Sequence, residues 1–349
     1  MSKSAHLLAT ALLVFLSAVL SLPANAAGPG GKVLLVVSSY GQGSGQDRPG
    51  FEMDELSQAH AVFTDNGFTV DIASPLGGEP VADEYDPSKP YNARALSDPG
   101  FLGSIRQTLR LPDVAADHYV AIFVIGGKGA MFDLPTNTDL KRLLAATYEA
   151  GGVIGAVCHG PMVFANLQLS DGTSLIAGRS VTGFSNEEEK LFGKRWVPHF
   201  PVFLEDALRG AGGQFSEAAI MLGHVVSDGR LITGQNPYST ARTAEAIVAA
   251  LGKSVAVRQR YPDERSIDAI SEALGGAGVE VAKAIAAEPA KYDIPLIAVW
   301  GYYRALQAGD DQAMLAEGIA VMELAEPHFA DSAFRSALEE ARKRLGNRS

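Results

Sequence analysis

Along the chain, short unbroken apolar runs alternate with stretches whose apolar positions recur at helical spacing. Lys32-Val-Leu-Leu-Val-Val-Ser-Ser39, Phe68-Thr-Val-Asp-Ile-Ala-Ser74, Val120-Ala-Ile-Phe-Val-Ile125 and Val153-Ile-Gly-Ala-Val157 read as strands. The runs without polar alternation suit strands covered on both faces, as in a parallel sheet. Between them, residues 51–66 set Met53, Leu56, His60 and Phe63 on one helical face and stop at Gly67, and residues 140–150 are amphipathic. Residues 161–167 read as a short helix, Arg179-Ser-Val-Thr-Gly-Phe184 as a further strand, and residues 240–251 as a closing helix. Val225-Val-Ser-Asp-Gly-Arg-Leu-Ile-Thr233 is a hairpin turning at Asp228-Gly229. Strands alternating with helices predict an α/β fold with a doubly wound parallel sheet.

The alternation lapses in three places. Residues 79–99 are rich in proline, aspartate and tyrosine and have no period, which predicts an insertion or lid, with residues 85–91 at the rim of a site. Past Gly252 the chain turns to alanine-rich helical segments at 266–287, 293–308, 310–326 and 332–345, punctuated by Asp293, Gly309 and Pro327. Leu296, Val299, Trp300, Tyr303 and Leu306 fall on one face there. The expectation is a C-terminal all-helical extension over 253–349, a bundle packed on a core domain of 27–252 and separable from it. At the other end, Lys3, the apolar run from Leu7 to Leu22 and Ala24-Asn25-Ala26 read as a secretory signal peptide over 1–26, cleaved before Ala27. A membrane anchor is the alternative, which Pro23 and the small residues after it disfavour. The expected mature chain is periplasmic or secreted, with no stable membrane insertion after cleavage.

Composition narrows the picture further. With 349 residues and 47% hydrophobic content the chain can bury a sizeable core and lies near the upper limit for one domain, so one domain plus an appendage is expected. The net charge is −11, and the sole basic cluster is Arg342-Lys343-Arg344, so the electrostatic footprint of a nucleic-acid binder is missing. The single cysteine excludes an intramolecular disulfide, and a thiol kept in an oxidising compartment suggests a task for it. His199 has no metal-ligand spacing to another histidine or cysteine, and no metal is expected.

That cysteine ends a buried strand in Gly152-Gly-Val-Ile-Gly-Ala-Val-Cys158-His159-Gly160-Pro161. A lone cysteine in a strand is ordinarily a small buried hydrophobe. Here it stands on a small-residue turn, followed by His159 and a Gly-Pro helix start, which is the pattern of a nucleophile elbow. Helix N–H groups aimed at the sulfur would favour thiolate. Gly126-Gly127-Lys128-Gly129 after the third strand lets backbone N–H groups approach a ligand, and such donors can hold an oxyanion; the spacing is not that of a P-loop. Glu52, Asp54 and Glu55 open the first helix, where acids are ordinary dipole partners, and Glu187, Glu188 and Glu189 form an acidic run that reads as a solvated face.

Together these residues resemble the ThiJ/PfpI superfamily, in its glyoxalase III and heat-shock chaperone branch, over residues 32–252. The resemblance implies a flavodoxin-like, class I glutamine amidotransferase-like fold. It singles out Glu55, which stands twelve residues before Gly67-Phe68, ahead of Glu52 and Asp54. It matches Ser74-Pro75-Leu-Gly-Gly and Gly234-Gln235-Asn236-Pro237, and it replaces the family's Gly-Gly-His-Gly histidine by Lys128. It puts a third triad member at Glu189, six residues after the glycine of Thr-Gly-Phe, with Glu188 as the alternative register. The implied site is catalytic Cys158, His159, Glu55 and Glu189, with Gly126, Gly127, Lys128 and Asn236 around the oxyanion and substrate. The implied activity is conversion of methylglyoxal, a small aldehyde, to lactate without a cofactor; a homodimer is left open. An amidase or peptidase using the same cysteine, and a non-enzymatic holdase or binding protein, are the rival readings.

Overall fold

The computed structural model describes residues 30–43 and 47–346, so the expected signal over 1–26 lies outside the described residues. The apolar runs become strands. In order come β1 (Lys32–Val36), α1 (Met53–Asp65), β2 (Thr69–Ser74), α2 (Pro90–Ser97), α3 (Pro99–Arg106), β3 (Leu109–Arg110), β4 (Ala121–Val124), α4 (Thr138–Glu149) and β5 (Val153–Val157). There follow β6 (Ser180–Val181), α5 (Asn186–Phe192), α6 (Leu204–Gly210), β7 (Gln214–Phe215), β8 (Val225–Asp228), β9 (Leu231–Gly234) and α7 (Thr240–Ala250). A sheet of seven strands in the order β3-β2-β1-β4-β5-β9-β8 forms the centre. It is parallel throughout except for β8, which pairs antiparallel with β9 through the expected hairpin. The strand order reverses between β1 and β4, and open α/β sheets place ligands at the carboxyl ends beside such a switch.

Each face of the sheet carries its own core. Val33, Leu35, Phe123 and Val157 pack with α1 and α7 on one side; Leu34, Val36, Ile122 and Ile154 pack with α4 and α6 on the other. Strands apolar at every position are therefore buried at every position, for the reason the sequence suggested. Three local expectations are corrected. The strand over 179–184 shortens to β6, which pairs with β7 in a separate small sheet rather than joining the centre. The run after the elbow is a 3-10 turn, Gly160–Asn166, because Pro161 supplies no N–H and Met162 closes onto the His159 carbonyl at 3.2 Å. The stretch 79–99 is not structureless: Pro90 starts α2.

The C-terminal region is helical, with α8 (Pro262–Glu272), α9 (Gly278–Ala287), α10 (Ile294–Gln307), α11 (Gln312–Ala325) and α12 (Ser332–Gly346). Gly276, at φ +100°, breaks the predicted continuous helix 266–287 into α8 and α9. α10 buries only part of the expected face: Leu296 and Trp300 are buried and Tyr303 packs against their cluster, whereas Val299 and Leu306 are 41% and 55% exposed and Ile297, Ala298, Gly301 and Ala305 are buried instead. Small residues decide this. A Cβ on Gly301 would fall 2.8 Å from the Gly318 carbonyl oxygen, and one on Gly318 would fall 2.5 Å from the Ala305 nitrogen, so α10 and α11 cross backbone against backbone. Among the described residues no helix is long and apolar enough to cross a membrane.

The helical region shares a core with the α/β part, where Ile220, Met221 and Leu222 join Ile267, Ile297, Trp300 and Met322. Polar ties reinforce the seam. Arg258 bridges Glu245 of α7 and Glu264 of α8, Arg242 pairs with Asp268, and the Tyr91 hydroxyl lies 2.8 Å from Asp263 and 3.1 Å from Asp54. Such partly buried, multiply bonded ions contribute more than exposed pairs do.

Candidate active site

The site stands at the carboxyl end of β5. Cys158 takes φ +58°, its N–H donates to the Gly234 carbonyl at 3.0 Å, and its carbonyl accepts from Phe184 N–H at 2.9 Å. Left-handed backbone at a non-glycine residue costs about 1–3 kcal/mol and persists where its surroundings enforce it. Neighbouring glycines make the room: a Cβ on Gly126 would lie 2.8 Å from both Cys158 Cβ and His159 N, and one on Gly160 would lie 2.6 Å from the Val124 oxygen.

His159 Nδ1 is 3.3 Å from Cys158 Sγ, and its Nε2 is 2.8 Å from Glu189 Oε2. All three side chains are buried. Phe184 lies against the imidazole with ring centres 4.5 Å apart, which holds its plane. The acidic run is not a solvated face at its end: Glu188 and Glu189 are each 1% exposed. Glu188 turns away from His159 and closes the capping box of α5, accepting from Met221 N–H and Asn236 Nδ2 at 2.8 Å each and from Gln235 Nε2 at 3.0 Å. Burial pushes its carboxyl up to about 7 despite those donors. Geometry thus brings Glu189, not Glu188, to the histidine.

Glu55, from the first turn of α1, is fully buried; its Oε2 accepts the Gly126 N–H at 2.7 Å, and its carboxyl lies near enough to Cys158 for their charges to repel. Asp54 points elsewhere, to Lys89 and Asn92 at 2.6 Å each. Burial, and then the neighbouring Glu52 charge, hold Glu55 well above the usual carboxylate range. Burial, then the charges of Glu55 and Glu52, push the Cys158 thiol up as well, while the Gly127 N–H acts in the opposite direction. This corrects the expected thiolate. The elbow opens a 3-10 turn with a weaker dipole than a helix start, and the Glu55 and Glu52 charges disfavour ionisation of the sulfur.

The cavity over the sulfur, about 180 Å³, is lined by Glu52, Gly127, Lys128 and His159, by Glu188 and Asn236, and by an apolar wall that includes Phe184 and Met221. Glu52, a first-turn acid by its place in the sequence, faces this cavity, its carboxyl raised to about 7 by burial and by Asp54 and Asp83. Gly127, at φ +90°, is held where a Cβ would lie 2.5 Å from Glu52 N, and its N–H points to the sulfur. Two expected ligand contacts are reassigned. Gly126 has given its N–H to Glu55, and Asn236 has spent its amide on Glu188, Leu222 and Ser239, so it braces the wall instead of presenting a free donor. Lys128 lies between this cavity and a wider groove with Arg48, Tyr85 and Trp196. Of the expected rim, Tyr85 lies on that groove, whereas Tyr91 is buried in the seam because its hydroxyl bonds Asp263. Among the described residues no three His, Cys, Asp or Glu side chains gather as a metal site.

Comparison with known proteins bears on the family and the fold. The sequence model described as the DJ-1/PfpI family matches residues 48–250 and ends before the C-terminal helices. The probable glutathione-independent glyoxalase hsp3103 of Schizosaccharomyces pombe is 37% identical over 44% of the chain, which spans 61% of that relative's length. Glyoxalase 3 of Candida albicans is 29% identical over 63% of the chain and 98% of its own length. The crystal structure of glyoxalase III from Candida albicans superposes with a TM-score of 0.58 at 28% identity, covering 63% of this chain and 97% of that one. The Rapid Encystment Protein of Francisella tularensis superposes with a TM-score of 0.59 at 34% identity, covering 63% of this chain and 99% of that one.

Proposed function

The chain belongs to the DJ-1/PfpI family, and from that premise we propose that it is a cysteine-dependent, glyoxalase III-like enzyme converting methylglyoxal to lactate without a cofactor. The observation that carries the reading is Glu55, a protonatable carboxyl buried against the sulfur in addition to the Cys158–His159–Glu189 chain. An acyl hydrolase needs a nucleophile, a base and oxyanion donors; it has no use for a second proton carrier on the sulfur. Moving hydrogen between adjacent carbons does need one.

In this scheme the Cys158 sulfur adds to the aldehyde carbon while His159, held by Glu189, manages the thiol proton. N–H groups of Gly127 and His159 hold the resulting oxyanion, each worth about 3 kcal/mol by analogy with other oxyanion holes. Glu55 takes the proton from the former aldehyde carbon and returns it to the neighbouring carbon. The first carbon is thereby oxidised to a thioester and the second reduced to an alcohol. Water then releases lactate and restores the thiol. Glu55→Gln keeps a side chain of the same shape but cannot accept that proton. It should slow lactate formation by about 10²–10⁴-fold while Cys158 still reacts with iodoacetamide. Lactate formation at the parental rate would remove Glu55 from the mechanism, and a parent inert to methylglyoxal would favour the hydrolase or holdase reading. The same proposal includes export with cleavage before Ala27, which the mass of the native N-terminus tests; an intact Met1 overturns it.

A further inference from the structure

The cavity above Cys158 is larger than a three-carbon aldehyde needs. Its volume is about 180 Å³, room for several waters at the roughly 10–15 Å³ of such space that each requires. Away from the sulfur, Glu188 and Asn236 are engaged with each other, and the remaining wall is apolar and mostly aromatic: Phe184, Phe192, Met221, Pro237 and Tyr238. A methyl group leaves much of that surface uncovered.

Part of this wall is held under strain. Met221 has φ +60°, and it and Cys158 are the two non-glycine residues of positive φ among the described residues. Hydrogen bonds on three successive residues enforce it. The Trp300 indole N–H donates to the Ile220 carbonyl at 2.7 Å, Met221 N–H donates to Glu188 at 2.8 Å, and Asn236 Nδ2 donates to the Leu222 carbonyl at 2.9 Å. Trp300 is fully buried on α10, outside the α/β part altogether. The same helix supports a second piece of the wall, because the Tyr303 ring meets Phe192 edge-on at 5.7 Å and Arg304 reaches Glu187 of α5 at 3.7 Å. The C-terminal helices therefore shape the substrate cavity without entering it.

We propose that this site takes 2-oxoaldehydes bearing a bulky, aryl-type substituent in preference to methylglyoxal, with Trp300 as the positioning residue that sets the preference by holding Met221 in the wall. The chemistry is unchanged: the thiol adds to the aldehyde, a proton moves from the first carbon to the second, and water releases the 2-hydroxy acid. An aromatic ring on the second carbon would cover the Phe184, Phe192, Met221 and Tyr238 surfaces that a methyl group leaves bare. The choice of substrate rests on the glyoxalase reading; the shape of the wall does not.

The test uses the purified full chain and has two arms. In the first, kcat/KM is compared for phenylglyoxal and methylglyoxal, with about a tenfold advantage expected for phenylglyoxal. In the second, which requires no turnover, Cys158 is alkylated with phenacyl chloride and with chloroacetone, and the rate ratio is referred to that of a cysteine peptide. Trp300→Phe keeps an aromatic ring but loses the bond to Ile220, and it should lower both ratios at least fivefold. Met221→Gly should do the same, since glycine accepts φ +60° without strain and removes the side chain while keeping the fold. A variant that is merely less stable slows both members of each pair together and leaves the ratios unchanged, which overturns the role of Trp300. Ratios at the peptide value in the parent overturn the wall itself. Selective alkylation without turnover of either aldehyde refutes the glyoxalase reading and the substrate, while the wall stands.

Discussion

At the scale of single residues, the chemistry of the site depends on where protons sit. Glu52 gives this a measurable form. Its carboxyl is raised from 4.5 to about 7, chiefly by burial, so between those values the folded chain binds a proton that the unfolded chain has lost. Stability must therefore fall as pH rises through that window, the opposite of the usual ion-paired carboxylate. Glu188 contributes with the same sign. We expect Glu52→Gln to lose less melting temperature than the parent between about pH 5 and pH 8, read by thermal unfolding at each pH; equal slopes would mean that Glu52 is solvated. Cys158 and His159 were legible in the sequence because elbow, nucleophile and base are contiguous in the chain. Glu55 and Glu189 were reached through their register to the family's pattern, since nothing in an acidic first turn tells which carboxyl faces inward. The upward push on the thiol was not legible, because it comes from burial and from Glu55 and Glu52, and Glu52 belongs to no recognisable motif.

At the scale of elements, α5 converts a charge run into a triad. Ser185 accepts from Glu188 N–H at 3.3 Å, and the Glu188 side chain answers to Ser185 N–H, so the start of the helix is fixed and Glu189 is turned to His159. Ser185→Ala should cost about 1 kcal/mol. It should also lower turnover through a misplaced Glu189, as measured by urea unfolding alongside kcat; full activity at reduced stability would separate the cap from the catalytic geometry. The helices of the C-terminal region were legible from alanine content, caps and stops. The face that α10 buries was legible only in part: Leu296 and Trp300 follow the apolar periodicity, but that periodicity also gives weight to Val299 and Leu306, whereas Gly301 and Gly318 let two backbones approach and rotate the contact toward Ala298 and Ala305. The turn at Met221 carries no sequence signal at all, since no glycine or asparagine marks its positive φ.

At the scale of the whole molecule, the change of composition after Gly252 marks a real boundary of chain pattern, and the family match ends at residue 250. It does not mark a boundary of packing. Ile220, Met221 and Leu222 lie in one apolar cluster with the C-terminal helices, and Arg258 and Tyr91 cross the seam. Truncation after Gly252 should therefore expose that cluster. We expect the shortened chain to melt about 2–8 °C lower, as the loss of 1–2 kcal/mol does in domains of this size, and the full chain to unfold in a single transition; two separate transitions would mean an independent appendage. The support of the Met221 turn by Trp300 has one more consequence. Cys158 is the chain's only thiol and is 4% exposed beneath that turn. A thiol reagent too bulky for the cavity should be admitted when α10 loosens its hold on the Met221 turn, so we expect its labelling rate, followed against denaturant, to track the opening of the distant helices. The sulfur that performs the chemistry also serves as a built-in gauge of how often the far end of the molecule comes undone.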